Sequence, residues 1–338
     1  MRVLRTLPAW LGLLPAFALA AGNNSPLIDA IRNSDYDGVA QRLVKHRAEA
    51  NVLLPDGSTP LSWAVESQDP RMVRLLLRAK AKPDAATNAA NSPLLLACEH
   101  GNAEILDQLI DAGAQVNRAR ADGIAPLALC AGTAPTGIIE RLLARGAEVD
   151  HADTSGQTAL MRAAAKGRVQ NLKLLLARGA NVNGVTAKGF TPLFFALKSG
   201  DPAAPLAVLD AGGNAAHVGP EGTTAVQLAM YQQQYAFASL LIQRGANLTA
   251  LDRGGNTLLH AAVIAGQPAL VQLLLEKGAD REAVTGRPRV EWRYESNFRT
   301  GEVKHPPKTA LQLAQARKPS AETDALLRLL APARTAGL

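Results

Sequence analysis

The chain has 338 residues, of which 47% are hydrophobic and only 4% aromatic, and it carries a formal net charge of +7 at pH 7. Most of the apolar content is alanine and leucine, which suits small, closely packed helices and argues against a large aromatic core. The basic residues are spread evenly along the sequence, so the positive charge does not predict a nucleic-acid interface.

Residues 1–20 have the pattern of a secretory signal peptide. Arg2 and Arg5 provide a positive front, an apolar segment covers residues 11–19, and small residues precede a cleavage site after Ala20. An uncleaved membrane anchor is the alternative, but the apolar run is short and interrupted by proline and glycine. Without the two arginines, 34 basic residues face 29 acidic ones, a net charge of +5. We therefore expect an exported protein, periplasmic or secreted, with no membrane span after cleavage.

The rest of the chain is organised by a sequence motif that recurs every 33 residues. In most repeats a Thr or Ser provides an N-cap, and proline or alanine takes the first helical position. A glycine then ends this first helix, paired apolar residues one turn apart predict a second helix, and another glycine closes it. The first helical positions are Pro60, Pro93, Pro126, Ala159, Pro192, Ala225 and Leu258.

This repeat resembles the ankyrin repeat, whose unit is a turn followed by two antiparallel helices. The matching segments are Thr59-Pro-Leu, Thr191-Pro-Leu, Thr257-Leu-Leu-His260 and Gly179-Ala-Asn-Val-Asn183. The resemblance covers about residues 25–330 and implies an all-α solenoid of about nine helix-turn-helix repeats. It also implies that His260 has a structural role and ties neighbouring turns together.

The period defines the domain organisation. The last motif, at Thr309, follows the previous one after 52 residues, so 19 residues are inserted before the last repeat. We predict a cleaved signal peptide over 1–20, an N-terminal capping repeat over 21–56, seven ankyrin repeats over 57–284, an inserted hairpin or finger over 285–307, a C-terminal capping repeat over 308–330 and a tail over 331–338.

The inserted segment has the alternation of a β-hairpin. Val290, Trp292 and Tyr294 alternate with charged residues, which is the period of a strand. Its aromatic and arginine side chains are of the types enriched in binding hot spots. They are therefore candidate partner contacts, although they could instead cover the last repeats. These candidates are Trp292, Arg293, Tyr294, Phe298 and Arg299.

Cys98 and Cys130, the only cysteines, lie in the first helices of adjacent repeats. Packed helices are about 10 Å apart, whereas a disulfide needs Cα atoms within about 7 Å. We therefore expect two buried thiols, with a disulfide as the alternative that export would permit.

No constellation of residues predicts catalysis. The six histidines are scattered and lack metal-site spacing, and the sequence contains neither a Gly-x-Ser-x-Gly elbow nor a phosphate-binding Gly-rich loop. We predict that the protein is not an enzyme and needs no cofactor or metal.

The resemblance implies binding through the concave side of the solenoid, formed by the turn tips and the outward side of the first helices. Ile124, Phe190 and Tyr231 are the apolar candidates there, because exposed apolar groups tend to anchor interfaces. The basic candidates are Lys166, Lys188, Lys198 and Arg253.

We thus predict a monomeric, non-catalytic scaffold or adaptor in the bacterial periplasm that binds a protein partner and no nucleic acid. Two alternatives remain: a secreted effector that engages a host protein, and an envelope-surface protein that binds anionic lipid or polysaccharide.

Overall fold

The computed structural model describes residues 25–86, 92–252, 254–285, 289–294, 300–305 and 307–331, and for the two six-residue segments it describes the backbone only. The predicted signal peptide and nearly all of the predicted tail lie outside the described residues. The chain divides into two compact units, unit 1 ending at Gln115 and unit 2 beginning at Val116.

The described residues of unit 1 form three helix pairs, with a 3-10 helix at Arg47–Asn51 after the first pair. Each first helix packs on its own second helix, the three first helices pack on one another in chain order, and the three second helices do the same. The helices are Pro26–Arg32 (α1), Tyr36–Lys45 (α2), Pro60–Glu66 (α3), Pro70–Arg78 (α4), Pro93–His100 (α5) and Ala103–Asp111 (α6).

Local capping explains where these helices begin. The Thr59 side chain accepts a hydrogen bond from the Ser62 N–H at 3.2 Å, and proline follows at the first helical position. Asp69 accepts from the N–H groups of Arg71 and Met72, both at 3.0 Å, and so caps α4. These contacts satisfy donors that a helix leaves free at its N-terminus.

Unit 2 contains six further helix pairs within its described residues. Its first helices α7, α9, α11, α13, α15 and α17 pack in that order. Their ranges are Pro126–Thr133 (α7), Thr136–Ala144 (α8), Ala159–Ala165 (α9), Val169–Ala177 (α10), Pro192–Lys198 (α11), Ala203–Asp210 (α12), Ala225–Tyr231 (α13), Tyr235–Gln243 (α14), Leu258–Ile264 (α15), Pro268–Glu276 (α16), Ala310–Gln315 (α17) and Ala321–Leu330 (α18).

Between successive repeats of unit 2 the chain forms tight turns, which we call fingers. All but the last are closed by a backbone hydrogen bond between residues four apart, for example from the Thr186 N–H to the Phe190 carbonyl at 2.9 Å. The first three of these fingers are also bonded to each other, since the Thr154 N–H donates to the Asp122 carbonyl and the Ala187 N–H to the Ser155 carbonyl, both at 2.9 Å. These three fingers therefore form a connected edge along the stack of helices.

The last finger of unit 2 is extended by two antiparallel strands, Arg289–Tyr294 (β1) and Thr300–His305 (β2). The Thr285 N–H donates to the Lys308 carbonyl at 3.0 Å, the type of bond that closes the other fingers. The two strands therefore leave the finger of the last repeat, within the segment for which the sequence predicts an insertion.

The loop between α7 and α8 is held by one buried amide. Asn171 on α10 is 3% exposed, and its Nδ2 donates to the carbonyls of Ala131 and Ala134 at 3.0 and 2.9 Å. Its Oδ1 accepts a hydrogen bond from the Thr136 hydroxyl at 2.9 Å. This repeat lacks the usual glycine turn, and the Asn171 side chain satisfies the carbonyl groups of the loop that replaces it.

The prediction of two free thiols is wrong. Cys98 on α5 and Cys130 on α7 are fully buried, and both are disulfide-bonded. The sequence argument relied on the mean separation between packed helix axes. That distance does not fix the separation of particular Cα atoms, which is the quantity that decides whether a disulfide forms.

Candidate functional site

In unit 2 the fingers lie against one side of the first helices. The Phe190 ring is 5.7 Å from the Phe194 ring and 6.5 Å from the Phe195 ring of α11. In the preceding repeat, Asp153 of the finger accepts a hydrogen bond from Arg162 of α9 at 2.9 Å. Arg162 and Phe195 are both the fourth residue of their helix. The residues three and four positions after Arg162 and Phe195 lie on the same helix face as these two residues. They therefore also lie beside the fingers.

We call this surface the finger face: the fingers of unit 2 together with the exposed seventh and eighth positions of its first helices. Lys198 and Tyr231 occupy the seventh position of α11 and α13, and Lys166, the C-cap of α9, is the eighth residue counted from Ala159. All three side chains are exposed, Tyr231 to 89%, as is Lys188 in a finger. Four of the sequence candidates therefore lie on one surface.

The expectation that Ile124 is exposed is wrong, and Phe190 is only partly exposed. Ile124 is 9% exposed, and Phe190, two repeats later at the same position, contacts two phenylalanine rings of α11. The side chain at this position faces the helix below the finger. A turn position is exposed when its side chain points to solvent, whereas here the side chain packs inward and holds the finger in place.

Six other candidates have no described side chain. Trp292, Arg293 and Tyr294 lie on β1, where the backbone places them opposite Glu302, Gly301 and Thr300. The other three, Phe298, Arg299 and Arg253, lie outside the described residues.

The structure reveals a set of exposed aliphatic residues that the sequence argument overlooked. They occur at the bases of four successive fingers, where Val218 pairs with Thr224 and Val284 with Thr309 in isolated β-bridges. We call this set the aliphatic row: Val185, Val218, Leu251 and Val284, which are 52%, 41%, 44% and 51% exposed. Its members are 33 residues apart, so the period that identified the helices also contained this signal.

A second apolar pair lies on the helices of the finger face. Ile264 is 55% exposed and occupies on α15 the position that Tyr231 occupies on α13. These two helices pack against each other, so the two side chains occupy equivalent exposed positions on adjacent helices. They are therefore candidate contacts for a partner.

The charged contacts under the fingers are structural. Burial alone would raise the pKa of Asp153, but hydrogen bonds from Ser155, Gln157 and Arg162 hold that pKa below its ordinary value. The Asp153 side chain is 6% exposed and its carboxylate is shared between the finger backbone and Arg162. This ion pair fixes the finger to α9.

His260 ties helix α15 to the last finger. It is fully buried, and its Nδ1 accepts from the Thr257 N–H at 3.2 Å while its Nε2 lies 3.1 Å from the Lys308 carbonyl. Burial lowers the pKa of this histidine, so the neutral ring donates from Nε2. This contact is the structural tie that the resemblance implied.

We expect this histidine to make stability depend on pH. Because its folded-state pKa is below the unfolded value of about 6.5, its contribution is complete above that pH and is lost as pH falls through the folded pKa. His260→Ala should lower the free energy of unfolding at pH 7.5 by about 3 kcal/mol, through lost hydrogen bonds and a cavity. His260→Ala should also reduce the decrease in the free energy of unfolding between pH 7.5 and pH 5.5. Urea denaturation at these two pH values measures both effects, with the more exposed His100→Ala as control. An unchanged pH dependence of the free energy of unfolding in His260→Ala would contradict this role.

Within the described residues no helix is long and apolar enough to cross a membrane. In the same part of the chain, no three His, Cys, Asp or Glu residues come together that could hold a metal ion.

Stacked helix pairs joined by bonded fingers define a helical-repeat protein. A family model described as ankyrin repeats, in three copies, matches residues 27–120, 127–215 and 203–284. These matches cover well over half of the chain, and the protein belongs to the ankyrin-repeat family. Ankyrin repeats are generally protein–protein interaction modules and typically act as non-catalytic scaffolds. A search of curated proteins found no match.

Proposed function

We propose that this protein is a monomeric, non-catalytic scaffold that binds a protein partner through the finger face of unit 2. The observation that carries the proposal is the aliphatic row, four exposed branched side chains at one repeat position. Tyr231 and Ile264 add apolar surface on the adjacent first helices. Burying such groups is the main favourable term in association, at about 25 cal/mol per Å² of apolar surface.

Charge adds a requirement on the partner. Lys166, Lys188 and Lys198 are exposed on the finger face beside the apolar groups. A partner that presents apolar side chains within a rim of carboxylates would complement both features. Rim charges of this kind chiefly raise the association rate and select the partner.

We further propose that β1 and β2 form a second contact with the same partner. They extend from the last finger, and Trp292 and Tyr294 are of the residue types that dominate interface energies. If this is correct, Trp292→Ala weakens partner capture and leaves the melting temperature unchanged. A lower melting temperature with unchanged capture would mean instead that the strands stabilise the last repeats.

We propose the bacterial periplasm as the location. The signal-like segment at 1–20 supports export, and the disulfide-bonded cysteines suit an oxidising compartment. The alternatives are secretion to act on a host protein and binding to the envelope surface. Fractionation separates them: the protein should appear in periplasmic shock fluid, whereas recovery from the culture medium or from envelope membranes would contradict this location.

The proposal predicts separate effects on binding and folding. Tyr231→Ser combined with Ile264→Ser should reduce partner recovery from a periplasmic extract at least tenfold, which is about 1.4 kcal/mol. Because both side chains are largely exposed, the melting temperature should shift by no more than about 2 °C. Quantitative mass spectrometry of captured proteins provides the measurement. Leu206→Ser, an exposed leucine on the second helix α12, is the matched control and should retain capture; equal recovery by all variants would contradict the proposal.

A further inference from the structure

A second surface, in unit 1, lies between the two second helices α2 and α4. Two adjoining hollows occupy this cleft, with cavity volumes of about 340 and 250 Å³, and both are lined by Leu75 and Arg78. We call the combined cleft the arginine groove. Its floor is aliphatic, and its sides carry Arg47, Arg71, Arg74 and Arg78.

The apolar part of the groove is open to solvent. Leu43 of α2 is buried beneath it, but the adjacent Val44 is 85% exposed, far more than the other aliphatic residues of unit 1 for which exposure is described. A valine so exposed beside a cleft gains from being covered by another apolar group.

Contacts with neighbouring groups orient the arginines. The Arg71 guanidinium lies 4.3 Å from the centre of the Tyr36 ring, and Arg47 donates from Nε to the Ala79 carbonyl at 3.4 Å. Arg74 forms an ion pair with Glu104 on α6. The side chain of Arg78, where the two hollows meet, makes no hydrogen bond or ion pair with any residue that the structure describes. Its charge is therefore available to a ligand.

We propose that the arginine groove binds an acidic peptide segment of a partner protein, with an aliphatic side chain placed over Leu75 and against Val44. Guanidinium groups match carboxylates in a planar, bidentate geometry, and Arg47 and Arg78 flank the aliphatic floor. A segment in which acidic residues surround a leucine complements the groove in both charge and polarity. This site is separate from the finger face and does not depend on it.

The charges around the groove favour a peptide over an anionic membrane. Helix α6, which packs beside α4, carries Glu104, Asp107 and Asp111. A flat anionic surface laid across α2 and α4 would meet Arg74 with its charge already offset by Glu104, and would gain less from this face than a peptide that enters the cleft. A narrow peptide inside the cleft meets the arginines without crossing α6.

The test uses fluorescence anisotropy with a fluorescein-labelled peptide, Glu-Glu-Asp-Leu-Leu-Glu-Asp-Glu, and its counterpart with every acid replaced by the corresponding amide. The intact mature protein should bind the acidic peptide, and the amide peptide should bind at least tenfold more weakly. Arg78→Glu should weaken binding of the acidic peptide at least tenfold, and Val44→Ser by about threefold. Arg178→Glu, the same charge change at the C-terminal end of α10, is the matched control and should bind as the wild type does.

Three results would overturn the inference. The first is equal binding by Arg78→Glu and Arg178→Glu. The second is absence of peptide binding at concentrations up to about 1 mM. The third is Arg78-dependent binding to phosphatidylglycerol vesicles in place of the peptide. Circular dichroism should show the same melting temperature for both arginine variants. If Arg78→Glu does not fold, Arg78→Gln replaces it and is expected to weaken peptide binding as well. The Tyr231→Ser, Ile264→Ser variant should bind the peptide as the wild type does. The proposals for the arginine groove and for the finger face can therefore be contradicted independently.

Discussion

Asn171→Asp is expected to lower the free energy of unfolding by about 4 kcal/mol. The wild-type amide donates to two loop carbonyls and accepts from the Thr136 hydroxyl while 3% exposed. Aspartate preserves the size and the acceptor, but it replaces both donors by oxygen. A buried carboxylate would then face the carbonyls of Ala131 and Ala134, so the side chain must either take up a proton or displace the loop.

Chemical denaturation of the two proteins at pH 7 measures this loss. Asn183→Asp is the matched control, since Asn183 also donates to a carbonyl, that of Gly212, at 3.1 Å, but is exposed to water. Its loss should be about 1 kcal/mol. Similar losses in the two variants would show that the buried position of Asn171 has no special importance.

Gly156→Ala is expected to cost about 3 kcal/mol, because it combines backbone strain with a clash between fingers. Gly156 has φ +80°, and a Cβ there would lie 3.0 Å from the Ala187 nitrogen and 3.0 Å from the Thr186 Cα of the next finger. These are backbone atoms that cannot rotate away. The substitution therefore has to push two hydrogen-bonded fingers apart.

Gly179 provides the matched control for this prediction. It has φ +85°, and no atom lies within 4 Å of the position that its Cβ would take. Gly179→Ala should therefore cost only the conformational strain, about 1–2 kcal/mol. Thermal unfolding followed by circular dichroism compares the two variants, and equal losses would contradict the proposed contact between fingers.

Helix positions were predictable from the sequence because local chemistry determines them. The first helices begin at Pro60, Pro93 and Ala159, as the motif indicates, and their N-caps depend on residues one to three positions away. A period of 33 residues then repeats this information along the chain. Features that depend on the same few neighbouring residues follow from the sequence.

Features that depend on distant partners did not follow from it. Asn171 is important only because a loop 35 to 40 residues earlier turns its carbonyls toward α10. The disulfide-bonded state of Cys98 and Cys130 depends on distances that a mean helix spacing does not give. Ile124 was expected to be exposed because it lies in a turn, yet the turn folds it inward.

The candidate site could be predicted only in part from the sequence, for a similar reason. Lys198 and Tyr231 were identified from their helical positions and are exposed. The aliphatic row was missed although its members share the 33-residue period, because a valine at the base of a finger has the same residue type as a core valine. Its 41–52% exposure is a property of the folded turn.

Site-specific photo-crosslinking in the native cells tests most directly whether the finger face of unit 2 binds a protein. A benzoylphenylalanine would replace Tyr231 or Val218 on the finger face, or Gln272, an exposed residue of α16, as the control. The proposal predicts one and the same crosslinked partner from positions 231 and 218 and none from position 272. Crosslinks at position 272 without any at 231 and 218 would contradict it.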